Sequence, residues 1–277
     1  MPPAKKRART YDPARIRGAV TAQFGNVRQG VRALTPAQLA LPTRLGDWTV
    51  RDLAAHVTTA LENVSRAIDR EEPAGPGLTL VQWPVAAGAR AAGVAGDTRR
   101  LAADHPDLDA LYARTAERFA LRLAAADGRR LLAAVPHSGP GAGGQTPVGA
   151  MVLDDFLVTR TVELIVHTDD LNAAVPGLDI PYERQALAAC TRLLADALAA
   201  HAPGGATEVR IPPYAVVQCV EGPRHTRGTP PNVVETDPLT WIRLATGRLS
   251  WADAVADAKV SASGERADLG GLLPLLP

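Results

Sequence analysis

Residues 147–174 read PVGAMVLDDFLVTRTVELIVHTDDLNAA. At about 100° per residue, this stretch predicts one helix from Pro147 to Ala174 with an inward stripe of Leu153, Phe156, Leu157, Leu164 and Leu171. Its far side is apolar as well, with Val158, Val162, Ile165 and Val166. A helix apolar nearly all round belongs inside a protein. Glu163 and His167 lie four apart, one above the other, within this buried element. A buried carboxylate and imidazole need compensation from each other, from arginine or from a cation.

A second histidine lies on another predicted helix. Thr49 followed by Asp52 resembles a capping box, with aspartate in place of the usual Glu or Gln. Val50, Leu53, Val57, Leu61, Val64 and Ile68 then recur every three or four residues, which predicts a helix over 49–69. His56 sits at the edge of that stripe. Side chains from facing helices of a bundle converge in its core and commonly build metal sites there. Two histidines and one carboxylate suit zinc or a similar divalent ion, and three protein ligands leave one coordination position open, as in catalytic sites. A Glu-x3-His step equally describes a hydrogen bond or ion pair within one helix. Bottom-up, a metal site and a purely structural role stand side by side.

The rest of the N-terminal two thirds is also helical in pattern. Asp12-Pro13 is an N-cap followed by proline at the first helical position, opening a segment to about Leu34, and Thr35-Pro36 repeats the device for a short helix. Helical patterns return over 85–103, 108–126 and 182–201, interrupted by Gly/Pro-rich stretches at 72–77 and 138–144. Long helices, short connections and almost no strand signal predict a helix bundle with four main helices. Ala202-Pro203-Gly204-Gly205 breaks the pattern. Beyond it come extended segments at 208–211 and 214–220, where Val209 and Ile211, then Val216, Gln218 and Val220, alternate. A third is read at 232–235. Asp237-Pro238 caps a helix ending near Gly247, Ser250 with Asp253 caps a shorter one, and 259–263 reads as a last strand. The division is therefore a basic tail, read as disordered, at 1–10, a helical bundle at 11–203 and a small α+β unit at 204–277, an α plus α+β chain.

Composition narrows the function. The chain has 277 residues, a formal net charge of +1, and 46% hydrophobic against 21% charged residues, the balance of a soluble globular protein without a field that would draw nucleic acid or an anionic membrane. Its basic residues are almost all arginine, a bias that with heavy Ala, Gly and Pro use suggests a GC-rich bacterial genome. No apolar run reaches the ~20 residues needed to cross a bilayer, and no apolar segment follows Lys5, Lys6, Arg7 and Arg9 to make a secretory signal. Two cysteines, Cys190 and Cys219, far apart and outside any CxxC pattern, fit a reducing cytoplasm and small core residues better than a disulfide scaffold or nucleophiles.

The segment Gly46-Asp47-Trp48-Thr49-Val50-Arg51-Asp52-Leu53-Ala54-Ala55-His56 closely resembles the first motif of the mycothiol-dependent maleylpyruvate isomerase family, one of the DinB-like metal-binding bundles. Arg160-Thr161-Val162-Glu163-Leu164-Ile165-Val166-His167, followed by Asp170-Leu171, resembles its second motif. The resemblance implies a DinB-like four-helix bundle in which His56, Glu163 and His167 bind the metal. Pro212-Pro213-Tyr214, the 222–232 segment and Asp237-Pro238-Leu239-Thr240-Trp241 are similar to the sterol-carrier-like domain fused to such bundles, and match that subgroup more closely than the maleylpyruvate isomerases themselves.

The chemistry so implied is that of a metal- and mycothiol-dependent enzyme. A thiol entering the open position of a zinc ion is deprotonated at neutral pH, and the thiolate attacks a small electrophilic substrate. Addition, bond rotation and elimination give cis-trans isomerisation; stopping after attack gives thiol transfer. The alternative is a lipid or hydrophobic-ligand binding protein of sterol-carrier type with a structural or vestigial metal. Arg160 reads as an anchor for an anion or as a partner for the Glu163 carboxylate, and Asp170 as a support for a histidine or a solvent-facing residue. Trp48 and Trp241 read as pocket lining, capping or core. Arg224, His225 and Arg227 form a basic loop cluster, His137 beside Ser138 reads as a loop residue, and His201 suits a helix C-terminus.

Overall fold

The computed structural model describes residues 9–75, 77–88, 94–133, 149–222 and 230–276. The basic run at 1–8, the His137-Ser138 pair and the Arg224, His225 and Arg227 cluster lie outside them. Helix α1 (Pro13–Arg32) starts where expected, Asp12 accepting from the Arg15 N–H at 3.1 Å, and buries Ile16, Val20, Phe24, Val27 and Val31 at helical spacing. The short α2 (Pro36–Leu39) carries a full capping box of Thr35 and Gln38.

The helix predicted over 49–69 is two helices, α3 (Val50–Val57) and α4 (Thr59–Ile68). The reason is local. The Thr58 hydroxyl donates to the Ala55 carbonyl and the Thr59 hydroxyl to the His56 carbonyl, each at 2.7 Å, and such bonds compete with the helical ladder. The break therefore falls at Thr58, two residues after His56.

The pattern expected over 85–103 is described as α5 (Trp83–Gly88) and α6 (Val94–Asp104), and α7 (Leu108–Ala125) lies where predicted. A hairpin absent from the sequence expectation follows: β1 (Leu131–Ala133) pairs antiparallel with β2 (Ala150–Val152), Leu132 opposite Met151. It shortens the predicted 147–174 helix to α8 (Leu153–Ala174). The first free N–H groups of α8 are taken by carbonyls just before β1, Leu153 to Arg130 at 2.8 Å and Asp154 to Gly128 at 3.0 Å. Within α8 both predicted faces are buried, from Phe156 to Val162 and from Leu164 to Val166. α8 packs on α1, α3 and α4, and on α9 (Arg184–His201). His201 closes α9 as an exposed last residue.

Helix α9 also packs against the C-terminal unit, joining the two layers. The turn after it depends on Gly204 (φ 156°), where an added Cβ would lie 1.9 Å from the Val220 carbonyl oxygen. Strands β3 (Thr207–Ile211), β4 (Ala215–Cys219), β5 (Val233–Thr236) and β6 (Val260–Ser263) form one sheet in the order β4-β3-β5-β6. β3 and β5 are parallel and the outer pairs antiparallel, with Val209 opposite both Val217 and Val234. In β4 the inward residues are Ala215, Val217 and Cys219, while Val216 points outward at 58% exposure. Helices α10 (Pro238–Ala245) and α11 (Trp251–Ala256) lie between β5 and β6, α10 packing on α9 with Trp241 fully buried in the core. No helix among the described residues is long and apolar enough to cross a membrane.

Candidate metal centre

The bundle brings His56 of α3 to Glu163 and His167 of α8, with one potential ligand atom from each within 4.8 Å of the others. The two imidazoles meet edge to face, centroids 5.0 Å apart, and the Trp48 ring packs on His56 at 4.8 Å. His56 is buried, while the His167 and Glu163 side chains keep 13% and 28% of their surface. Among the described residues this is the one His/Cys/Asp/Glu cluster of metal-binding geometry.

Each histidine is oriented from behind. His56 Nδ1 lies 3.2 Å from the Thr98 hydroxyl on α6. His167 Nδ1 donates to Asp170 Oδ2 at 3.0 Å, which turns its Nε2 toward Glu163 Oε2 at 3.6 Å. Imidazoles that bind metals are typically supported in this way, the second nitrogen donating to a carboxylate. Asp170 is fully buried, so the solvent-facing reading of it is wrong; besides His167 it accepts from Arg44 and Arg248. Burial acts to raise its pKa, but His167 and Arg248 outweigh that and hold the carboxyl far below the usual range.

The donors suit a divalent cation. Burial works against the Glu163 carboxylate, yet contact with His167 and the charges of Arg160, His167 and His56 keep it ionised, its pKa far below the ordinary carboxylate value. His167 is disfavoured as a cation by burial, but Asp170 and Glu163 raise its pKa above that of an ordinary histidine. Carboxylates that favour positive charge on His167 give the cluster the electrostatic character that a cation requires. The 3.6 Å spacing of Glu163 and His167 exceeds a hydrogen bond, so the intrahelical pair is a loose one.

Arg160 is buried with its guanidinium 4.5 Å from the Phe156 ring centre and 5.4 Å from that of Trp83, and it donates to the Thr159 hydroxyl at 2.9 and 3.0 Å. Its Nη2 stands 3.9 Å from Glu163 Oε1, a distant counter-ion. Burial lowers its pKa, partly offset by Glu163. Cys190 and Cys219 are free and buried away from the cluster, and burial pushes the Cys219 thiol up to about 11 and that of Cys190 higher. Sequence reasoning missed Arg44, Thr98 and Arg248. For the two arginines the only signal was indirect, the adjacent buried carboxylates Asp169 and Asp170 in the last turns of an apolar helix; nothing in the sequence pointed to Thr98.

A family model described as the mycothiol maleylpyruvate isomerase N-terminal domain matches residues 20–172, more than half of the chain, and one described as a bacterial SCP ortholog matches residues 183–275. Among solved structures, the crystal structure of the mycothiol-dependent maleylpyruvate isomerase is similar with a TM-score of 0.58 at 15% identity, covering 96% of this chain and 97% of that one. A mutant of that isomerase with a histidine replaced by alanine aligns with a TM-score of 0.57 at 14% identity, over the same shares. At such identities the likeness is one of fold. No curated protein is significantly similar to the chain.

Proposed function

Because this chain belongs, through its N-terminal domain, to the mycothiol maleylpyruvate isomerase family of enzymes, we propose that it is a metal- and mycothiol-dependent isomerase or thiol transferase acting on a small electrophile. The observation that carries the proposal is the convergence of His56, Glu163 and His167 from two helices. These three residues would hold one divalent ion, zinc by the character of the donors. When bound, such an ion supplies Lewis acidity that keeps a small thiol ionised at neutral pH, and a thiolate adds reversibly to a polarised double bond.

The chain's own residues prepare the place for that chemistry. Asp170 holds the Nδ1 proton of His167 and Thr98 engages Nδ1 of His56, so both rings are set before any ligand arrives. Glu163 adds the negative charge. Trp48 packs on His56 and gives the site one apolar side. Neither cysteine serves as the sulfur, since both are buried and their raised pKa values keep them as thiols. We keep the division at residue 204, with α9 counted in the bundle.

The second reading, a hydrophobic-ligand binder, is favoured by one observation. A cleft of about 680 Å³ opens between Arg44-Leu45 and the C-terminal unit, with apolar walls at Leu244, Leu249, Trp251 and Leu273 and the Arg44 and Arg248 side chains at its edge. The deciding experiment supplies mycothiol and a cis-unsaturated keto acid such as maleylpyruvate to metal-loaded and chelator-treated protein. The enzyme reading expects thiol-dependent isomerisation or conjugation that chelation abolishes. Absence of both, with apolar ligands bound whether or not metal is present, overturns it for the second reading.

A further inference from the structure

The carboxylate behind His167 is held from two sides, and neither side belongs to α8. Asp170 Oδ1 accepts from Arg44 Nε at 2.6 Å and Arg248 Nε at 3.3 Å. Oδ2 accepts from His167 Nδ1 at 3.0 Å and from Arg248 Nη2 at 3.2 Å. Both oxygens are thus saturated by donors whose directions are fixed.

Arg44 comes from the turn between α2 and α3. That turn is closed by the bridge of Pro42 with Thr49 and by the Thr43 hydroxyl donating to the Trp48 carbonyl at 2.9 Å. The same turn lays Trp48 on His56 and ends in Thr49, the cap of the helix that carries His56. Arg248 comes from the C-terminal unit, just after α10, its Nη1 pinned by the Thr246 carbonyl at 2.6 Å. The neighbouring Asp169 takes the other donors: Arg44 at 2.6 Å, the Arg243 fork at 2.5 and 3.0 Å, and the Tyr182 hydroxyl at 3.0 Å. Three guanidiniums enclose two carboxylates at the junction, but only Asp170 touches His167.

We infer that Arg44 and Arg248 are positioning residues for His167, acting through Asp170, so that the C-terminal unit completes the metal site from behind. The inference rests on the reading of His56, Glu163 and His167 as metal ligands. Its physical content is preorganisation: a carboxylate fixed by two guanidiniums fixes in turn the imidazole bonded to it, so the ring is oriented during folding and not at the expense of metal affinity. The role of a fused domain is then partly to hold a ligand it does not itself supply.

The test is cobalt(II) titration of metal-free, full-length protein in competition with a chromophoric chelator, with circular dichroism to check folding. Asp170→Asn is expected to weaken cobalt binding roughly 10–100-fold, the usual effect of removing such a support, and to shift the ligand-field bands. Arg44→Lys and Arg248→Lys keep the charge and lose only the planar fork, and each is expected to weaken binding roughly 3–10-fold. Arg243→Lys is the internal control: it disturbs an ion pair of the same junction, on Asp169, lowers the melting temperature, and leaves cobalt affinity within about twofold because Arg243 bonds neither Asp170 nor Arg44. If the parent protein binds cobalt and Arg44→Lys and Arg248→Lys bind it equally well, the positioning role is overturned while the metal site stands. The same conclusion follows if Arg243→Lys weakens binding as much as Arg44→Lys and Arg248→Lys do, since that is the mark of a merely structural junction. A folded parent protein that takes up no cobalt overturns the site itself. Should Asp170→Asn not fold, the lysine variants decide.

Discussion

Glu163→Gln separates a metal ligand from half of a structural ion pair. Without metal, Glu163 is 3.6 Å from His167 and 3.9 Å from Arg160 and keeps 28% of its side-chain surface. Glu163 is partly exposed but its partners are largely buried, so the loss lies between the about 0–1 kcal/mol of a surface pair and the about 3–5 kcal/mol of breaking a buried one, and the neutral amide should cost the metal-free protein about 1–3 kcal/mol, or roughly 2–10 °C. With metal the balance changes. An ion at a hundred times its dissociation constant stabilises the fold by about 2.7 kcal/mol, which raises the melting temperature by roughly 5–10 °C. A site weakened about a thousandfold keeps less than about 0.1 kcal/mol of that at the same concentration. Thermal melts of both proteins in chelator and in zinc therefore have four predicted positions, with a large zinc shift in one protein only. The reasoning is refuted if the parent protein shows no zinc shift and Glu163→Gln lowers both melts equally, since that is the signature of an ion pair and nothing more.

Metal affinity should fall with acid earlier than for an ordinary histidine site. His167 must lose its proton to bind, and because Asp170 and Glu163 raise its pKa against the opposing effect of burial, the loss of affinity should begin above pH 6.5 on the way down; isothermal titration at pH 5.5–8 measures it, and a flat profile contradicts it. Replacing Cys190 and Cys219 by alanine or serine should leave the mycothiol-induced rise in melting temperature of the metal-loaded protein in place, and loss of that rise in a folded variant would assign the sulfur to the chain. Gly204→Ala should destabilise the protein by more than about 1 kcal/mol, because the new Cβ meets the Val220 carbonyl and φ is 156°; a denaturant midpoint equal to that of the parent protein would contradict this.

The parts of the fold with a strong period were legible. The burial of α8 on both faces follows from its sequence, and the cap at Thr49 located the helix that carries His56. What failed had physical reasons. The break at Thr58 depends on two hydroxyls choosing main-chain carbonyls, a local competition that an apolar stripe does not reveal. β1 and β2 have three residues each, too few for a period of two to stand out from a helical stripe, and Met151 and Leu153 fit both patterns. In β4 the β-branched Val216 faces outward and Ala215, Val217 and Cys219 face in, a shift of one residue that exchanges the faces of a strand. The site divides in the same way. Its inner residues sit on regular helices and were found, whereas Arg44 and Arg248 reach Asp170 from irregular segments 126 and 78 residues away in the chain. Asp170 as a support for a histidine was one of two readings the sequence allowed; the arginines that hold it in turn were not readable.

The central claim is that His56, Glu163 and His167 hold one divalent ion with a position open to an external thiol. Cobalt(II) titration of the metal-free protein, followed by addition of mycothiol, tests it in a single cuvette. The account predicts visible ligand-field bands that saturate at one equivalent of cobalt per chain, then a new sulfur-to-cobalt charge-transfer band in the near ultraviolet when the thiol is added, with His56→Ala, Glu163→Ala and His167→Ala each abolishing both. Natively folded protein that develops no bands, or bands that persist unchanged in all three variants, would contradict it.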